Sequence, residues 1–189
     1  EPCDLLILAR KQLDGLAAAG ALVPESLQDV GWVKTGLAVR SDNTQASAIE
    51  SVDALRQALL NASGLYVPDM QKSTAGQHVA KMLGELGVLE ALRPRIHEHP
   101  NGASAMRVMS ETSASDNPNP MGCTQATEIL YTPGVRLIGL LPSAFELNTL
   151  YSIAIPQRST RIDEAKQALA QLIHSDTLAA RSAAGFGAR

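Results

Sequence analysis

The sequence predicts an α/β fold in which mostly parallel sheets are flanked by helices and divided between two lobes. Short apolar runs of strand length alternate with segments of helical periodicity along the whole chain. Such alternation is typical of strand–helix–strand units, in which helices cover a sheet. Hydrophobic residues make up 45% of the 189 residues and charged residues 19%, which is enough apolar material for a packed core.

The strands are predicted from short runs of apolar and β-branched residues that are bounded by turn formers. A run that is apolar throughout predicts a strand buried on both faces, whereas the run that stops at Pro100 predicts a short edge strand. The predicted strands are residues 4–8, 35–39, 64–67, 95–99, 121–124, 135–139 and 150–155.

The helices are predicted from apolar residues spaced three and four positions apart and from the residues at their ends. Ser51 can cap the start of one helix, and Gly20 and Gly87 follow the ends of two others. Residues 110–120 are rich in serine, asparagine and proline, so they are predicted as a loop. The predicted helices are residues 9–19, 52–60, 74–86, 103–110, 162–174 and 177–184, and residues 126–129 are predicted as a turn or the start of a helix.

The order of these elements predicts two lobes, the first of which is discontinuous in sequence. Residues 1–62 with 131–189 form the first lobe and residues 63–130 form the second, so the chain crosses between lobes twice. In sheets of this kind ligands bind beyond the carboxyl ends of the strands, often between domains.

Composition and missing motifs exclude several functional classes. The net charge is −3 and the basic residues are scattered, whereas nucleic-acid and acidic-membrane surfaces need a basic patch. No apolar run approaches the length of about 18 residues that a membrane-spanning helix needs. The chain contains no G-x-S-x-G, P-loop, G-x-G-x-x-G or H-E-x-x-H motif. We therefore expect no nucleic-acid partner, no cofactor and no enzymatic activity.

The cysteines and histidines do not predict a metal site. Cys3 and Cys123 adjoin or lie in apolar runs, which favours two buried free thiols, although a disulfide stays open. His97 and His99 would share one face of a strand and could ligate zinc, but no third ligand is close in sequence. An exposed strand is the favoured interpretation of the histidine pair.

The strongest functional signal is the segment from Tyr66 to Leu83. An apolar strand is followed by a polar turn, by Ser73-Thr74-Ala75-Gly76 and then by a helix. Free backbone N–H groups and the positive end of the helix dipole meet at such a start and can bind an anion. We therefore predict that Ser73, Thr74 and Gly76 contact a ligand. The alternative is an ordinary helix cap at Ser73 or Thr74.

Other polar residues lie at strand ends and are weaker candidates. Thr124 and Gln125 follow a short strand, and a glutamine amide can both donate to and accept from a carboxylate ligand. Tyr151 begins a long strand and Arg10 directly follows the first one. The alternatives are a glutamine bound to loop backbone, a tyrosine ring packed under its lobe and an arginine at a solvated helix start.

In their order along the chain, several motifs resemble the bacterial extracellular solute-binding proteins of the molybdate-binding type. The resemblance implies a two-lobed type II periplasmic-binding-protein fold that closes around a small anionic ligand. It also implies a periplasmic location and the membrane permease of an ABC importer as partner. The motifs are Asp4-Leu5-Leu6-Ile7-Leu8-Ala9, Ser73-Thr74-Ala75-Gly76, Gly122 to Ile129, Leu150 to Ala154, and the last helix from Ala165 to Ile173 with Ser175-Asp176.

The chain departs from this family pattern in two respects. Family members begin with a further strand, helix and strand, so this chain resembles a member that lacks its start. A missing strand predicts an exposed sheet edge, through which a homodimer could form. Molybdate binders tend to carry tyrosine where this chain has Gln125. The resemblance therefore leaves open a molybdate-like oxyanion and a small organic acid.

A second functional class is compatible with the same fold. The chain could be the metabolite-sensing domain of a transcription regulator, which would work in the cytoplasm without a permease. A weaker third alternative is a small hydrolase or isomerase built on this fold.

Overall fold

The computed structural model describes residues 3–44, 46 and 48–187, and these form two compact units. The first unit comprises Glu1–Val33 and Asn148–Arg189, and the second comprises Lys34–Leu147. The boundaries differ from those of the predicted lobes, since residues 34–62 and 131–147 belong to the unit that holds residues 63–130. The reason is that residues 35–40 and residues 135–140 form strands that belong to the sheet of the second unit.

The α/β class is confirmed, because strands and helices alternate through the described residues. The strands are β1 (Leu6–Ala9), β2 (Gln28–Arg40), β3 (Gly64–Pro68), β4 (Ile96–His99), β5 (Pro120–Gln125), β6 (Val135–Leu140) and β7 (Asn148–Ala154). The helices are α1 (Arg10–Ala18), α2 (Val52–Asn61), α3 (Thr74–Glu85), α4 (Leu89–Leu92), α5 (Gly102–Glu111), α6 (Ala126–Tyr131), α7 (Ile162–Ile173) and α8 (Leu178–Ala183). Short 3-10 helices cover Arg93–Arg95, Ser143–Phe145 and Ser175–Thr177.

Every predicted strand and helix is present, but two features were missed. β2 begins at Gln28, seven residues before the predicted strand. The sequence did not predict this first part because Gln28, Asp29 and Gly31 interrupt the apolar pattern there. The helix α4 has only four residues, which is too short to show helical periodicity. None of the helices in the described part of the chain is long and apolar enough to span a bilayer.

The sheets are mixed, which corrects the expectation that they are mostly parallel. In the second unit β3 pairs in parallel with β4 and β5, whereas β2 runs antiparallel to both β5 and β6. In the first unit β1 runs antiparallel to β7. Helical crossovers keep β3, β4 and β5 parallel, but β2 lies between β5 and β6 in the opposite direction. Hydrophobic periodicity carries no information about strand direction, so the sequence did not indicate this.

Each unit buries apolar side chains on both faces of its sheet. In the second unit, Leu37, Leu65 and Cys123 pack with α2 and α3 on one face. Ala38 and Tyr66 pack with α5 and α6 on the other face. Successive strand residues point to opposite faces, so the helices on the two sides contact alternate residues of the same strands. In the first unit the strands likewise divide their apolar residues between two clusters.

The cysteines are free thiols, as the sequence favoured. Cys123 is fully buried in the core beside α3, and burial raises the pKa of its thiol to about 12. Cys3 is half-buried rather than buried. The buried thiol of Cys123 is therefore a packing group and stays protonated at neutral pH.

Glu25 occupies a backbone conformation that favours glycine. It lies in the turn Val23-Pro24-Glu25-Ser26, in which the Ser26 amide donates to the Val23 carbonyl at 3.2 Å. Its φ is 61°, and the combination of proline at the second turn position with positive φ at the third defines a type II turn. A residue with a Cβ atom pays a steric cost in this left-handed region.

We expect Glu25→Gly to raise the free energy of unfolding by about 0.5–1 kcal/mol, because the steric cost disappears while glycine pays some backbone entropy. Urea denaturation would measure the change. Glu25→Ala is the matched control, since it removes the same carboxylate but keeps the Cβ atom, and it should not stabilise the protein. Equal stabilisation by both variants would assign the effect to the carboxylate instead of the turn.

Candidate functional site

The carboxyl ends of the parallel strands meet at one edge of the sheet in the second unit. β3 leads into α3, β4 leads into α5 and β5 leads into α6, so these helices all begin at that edge. α3 covers one face of the sheet and α5 the other. Helices that leave neighbouring parallel strands toward opposite faces open a crevice at the carboxyl edge, where ligands of α/β proteins bind.

The loop between β3 and α3 is held by two carboxylates. The Asp69 carboxylate accepts the amides of Gln71 at 2.8 Å and Lys72 at 2.9 Å. These two hydrogen bonds, the larger from Gln71, hold the pKa of Asp69 below its ordinary value. Glu98 of β4 accepts the Met70 amide at 2.9 Å. The loop amides that precede Ser73 are therefore already bonded to carboxylates of this chain.

Ser73 caps α3, so the cap that the sequence offered as the alternative is present. Its hydroxyl accepts the Gly76 amide at 2.8 Å, and its own amide donates to the Asp69 carbonyl at 3.1 Å. The helical hydrogen bonds begin with the Gln77 amide, which donates to the Ser73 carbonyl at 2.9 Å. The amides of Thr74 and Ala75 lie ahead of that ladder, where a helix offers them no acceptor. The Thr74 side chain is exposed beside them.

Gly76 allows the first turn of α3 to pack directly on the end of β3. A Cβ atom at this position would lie 2.1 Å from the Asp69 carbonyl oxygen and 2.5 Å from that of Pro68. Gly76 itself is buried. Its effect on the site is therefore to bring the helix start close to the strand end, and its predicted contact with a ligand is untested.

We expect Gly76→Ala to lower the free energy of unfolding by about 1–3 kcal/mol, because the helix start must move away from two carbonyl oxygens. Gly84→Ala is a matched control in the same helix, where an added Cβ atom meets nothing within 4 Å. That control should raise the free energy of unfolding by about 0.5–1 kcal/mol through helix propensity alone. Chemical denaturation of both variants measures the difference, and a neutral Gly76→Ala would contradict the close packing.

Thr124 and Gln125 follow each other at the end of β5, so their side chains point to opposite faces of the sheet. The Thr124 hydroxyl donates to the Glu128 carboxylate at 2.5 Å, and this carboxylate also accepts the Ala103 amide at 3.3 Å. Glu128 thus supplies the first turn of α5 with a negative charge from within the chain. Thr124 is fully buried in this arrangement, and its hydroxyl has an internal partner.

Gln125 is the member of the pair that shares a face with α3. Cys123, two residues before it, packs in the same core as the α3 residues Val79 and Met82. Gln125 is buried, with 5% of its surface exposed, and its side chain makes no hydrogen bond that caps α6. Its position at the carboxyl end of β5, on the α3 side, agrees with the predicted role but does not test it.

Arg10 and Tyr151 both belong to the first unit. The Arg10 guanidinium donates hydrogen bonds to the carboxylates of Asp14 and Asp29, each at 2.8 Å, and these hydrogen bonds raise the pKa of Arg10. Tyr151 lies opposite Ala9 in the β1–β7 ladder, and Ala9 directly precedes Arg10 in the chain. The charge of Arg10 is therefore balanced within its own unit, and ligand contact by either residue stays a prediction.

The structure places His97 and His99 on one face of β4, as the sequence indicated. Both rings lie nearly parallel to the Tyr66 ring, with centroid distances of 4.6 and 6.0 Å. Burial, with a smaller effect of His97, lowers the pKa of His99. Among the described residues no group of three or more histidine, cysteine, aspartate or glutamate side chains is arranged to hold a metal ion.

Sequence comparison identifies the family. Residues 1–186 match the family model described as bacterial extracellular solute-binding protein. The chain belongs to this family. It is also similar to an aconitate isomerase from Pseudomonas sp, with 27% identity over 190 residues that cover 98% of this chain and 68% of that protein.

Solved structures show that the fold is that of periplasmic binding proteins. The Azotobacter vinelandii periplasmic molybdate-binding protein aligns with a TM-score of 0.73 and 18% identity, over 100% of this chain and 80% of its own. The sulfate-binding protein SubI from Mycobacterium tuberculosis H37Rv aligns with a TM-score of 0.64 and 17% identity, over 98% and 69%. The spermidine/putrescine binding protein PotD from Streptococcus pneumoniae aligns with a TM-score of 0.60 and 13% identity, over 100% and 68%.

Proposed function

We propose that this solute-binding protein captures a small anion at the first turn of α3. The observation that carries the proposal is the pair of first-turn amides, from Thr74 and Ala75, which lie ahead of the helical ladder beside an exposed threonine hydroxyl. These amides lie at the carboxyl ends of the parallel strands β3, β4 and β5, at the positive end of a helix of 12 residues. Gln125 reaches the same edge on the same face and would be a further contact.

The surroundings of this turn favour a carboxylate over a compact dianion. The loop amides that a tetrahedral oxyanion would need are already bonded to Asp69 and Glu98. A dianion would also lie close to both of these negative charges, whereas a carboxylate group needs only two donors for its two oxygens. Similarity to an aconitate isomerase supports the same choice, because aconitate is an organic acid. We therefore favour a small organic acid as the ligand.

The proposed partner is the membrane permease of an ABC importer, and the proposed location is the periplasm. Membership in an extracellular solute-binding family supports this assignment over the sensor domain of a transcription regulator.

A homodimer is a separate proposal. β1 pairs with β7, and no other strand in the described part of the chain pairs with β1. Ile7 of β1 is 45% exposed. Such an edge can accept another strand.

A thermal-shift screen tests the binding role and the ligand class together. Citrate, cis-aconitate, trans-aconitate, malate, sulfate, phosphate and molybdate form the panel. A ligand at a hundred times its Kd stabilises the protein by about 2.7 kcal/mol, which is readily seen as a rise in melting temperature. The proposal expects a rise with carboxylates and little with sulfate or molybdate. A rise with molybdate alone would leave the site standing but overturn the ligand class.

The variants Ser73→Asn and Ser73→Asp separate anion binding from helix capping. Asparagine and aspartate cap a helix about as well as serine, so both variants should keep the stability of the parent. Aspartate adds a negative charge at the proposed site, and about 1.4 kcal/mol of repulsion is enough for a tenfold loss of affinity. We expect Ser73→Asp to bind the best carboxylate of the panel at least about tenfold more weakly than Ser73→Asn. Equal affinities, measured by calorimetric titration, would place the ligand elsewhere.

A second candidate function is the isomerisation of aconitate, which the similarity to the Pseudomonas relative favours. Proton NMR of cis-aconitate incubated with the protein distinguishes the two candidates. Binding alone broadens or shifts the signals without forming a product, and this is the outcome that the leading proposal expects. Formation of trans-aconitate above a protein-free control, and its loss in Ser73→Asp, would support the enzyme instead.

A further inference from the structure

Thr35 carries a buried hydroxyl that has no hydrogen-bond partner among the described residues. The residue is 1% exposed, and its side-chain oxygen makes no hydrogen bond within the described part of the chain. Both backbone polar groups of Thr35 have partners, since its amide donates to the Leu147 carbonyl at 3.3 Å and its carbonyl accepts the Leu141 amide at 3.0 Å. A buried hydroxyl without a partner costs folding free energy, so its presence in the core calls for a physical explanation.

The position of Thr35 relates this hydroxyl to the proposed anion site. In the β2–β5 ladder Thr35 lies directly opposite Gln125, and opposed residues of an antiparallel pair project from the same face. That face is the α3 side, because Leu37, two residues after Thr35, packs with Val79 and Met82 of α3. The hydroxyl and the Gln125 amide are thus cross-strand neighbours on the side of the sheet that α3 covers.

The register of β3 and β5 places this pair level with the start of the loop. Tyr66 is opposite Gly122 in that parallel ladder, so three further residues along each strand bring Asp69 level with Gln125. The Asp69 carbonyl in turn accepts the Ser73 amide that begins the cap of α3. Thr35 therefore lies two strands away from β3 but at the level of the first turn of α3.

We infer that the Thr35 hydroxyl contacts the ligand and forms, with Gln125, an uncharged subsite beside the anion seat. This inference rests on the proposed function. A single rotation about χ1 redirects a threonine hydroxyl, so a buried oxygen can turn toward a bound group. A hydroxyl and an amide both donate and accept, which suits a hydroxyl or a second carboxyl group of the ligand. The ligand class narrows to hydroxy acids and polycarboxylic acids.

The variant Thr35→Val tests this assignment, with citrate and acetate as probes in calorimetric titration. We expect citrate to bind about five- to tenfold more weakly, as for the loss of one hydrogen bond, and acetate to change less than about twofold. The melting temperature should stay the same or rise, because the variant removes an unpartnered buried hydroxyl. Thr35→Ser, which keeps the hydroxyl, should retain the citrate affinity.

Thr132→Val is the matched control, since Thr132 is also buried but its hydroxyl donates to the Glu128 carbonyl at 2.7 Å. It should lower the melting temperature and leave the citrate affinity unchanged. Unchanged citrate affinity in Thr35→Val, together with a loss in Ser73→Asp, would remove the inference and keep the proposed function. A melting temperature that falls as in the control would reveal an internal partner for Thr35 and also overturn it. If the parent protein binds neither citrate nor acetate, the inference about Thr35 falls, whereas the anion site itself is decided by the wider ligand panel given above.

Discussion

The close approach between the first turn of α3 and the end of β3 determines the geometry of the candidate site. Gly76 makes it possible, because any side chain there would collide with the carbonyls of Pro68 and Asp69. With the turn in this position, the Ser73 hydroxyl reaches the Gly76 amide and the Asp69 carbonyl reaches the Ser73 amide. Hydrogen bonds and close packing therefore join the strand, the loop and the helix start, and the dipole of α3 points at the edge of the sheet.

The starts of α3 and α5 show how one physical principle gives two different results. Both helices begin at the carboxyl edge, and both have first-turn amides ahead of the helical ladder. At α5 the Glu128 carboxylate accepts the Ala103 amide, so the positive end of that helix is compensated from within the chain. At α3 the carboxylate of Asp69 binds loop amides two and three residues after it, before the helix begins. Among the described residues no carboxylate accepts the first-turn amides of α3, and this difference is what supports the proposed anion site there.

Local sequence patterns predicted the parts of the site that depend on neighbouring residues. The strand, the polar turn, the cap at Ser73 and the helix after it all follow from residue types within about 20 positions. The contacts of Thr124 with Glu128 and of Arg10 with Asp29 could not be predicted with the same certainty, since they depend on how helices and strands pack. Thr35 was missed because its position matters only through the cross-strand pairing with Gln125, some 90 residues away in sequence. Strand direction was mispredicted for the same reason.

Charge around α3 implies that recognition at the proposed anion site would depend on hydrogen bonds more than on net attraction. The two amides that bond Asp69 stabilise its ionised form, so its pKa is depressed and its negative charge persists well below neutral pH. Lowering the pH to remove this charge would also break the turn that positions Ser73, because a protonated carboxyl is a weaker acceptor. The site therefore cannot gain anion affinity by losing its own carboxylate. At the proposed site, uncharged donors at the helix start and neutral partners on the neighbouring strands would then distinguish one small acid from another.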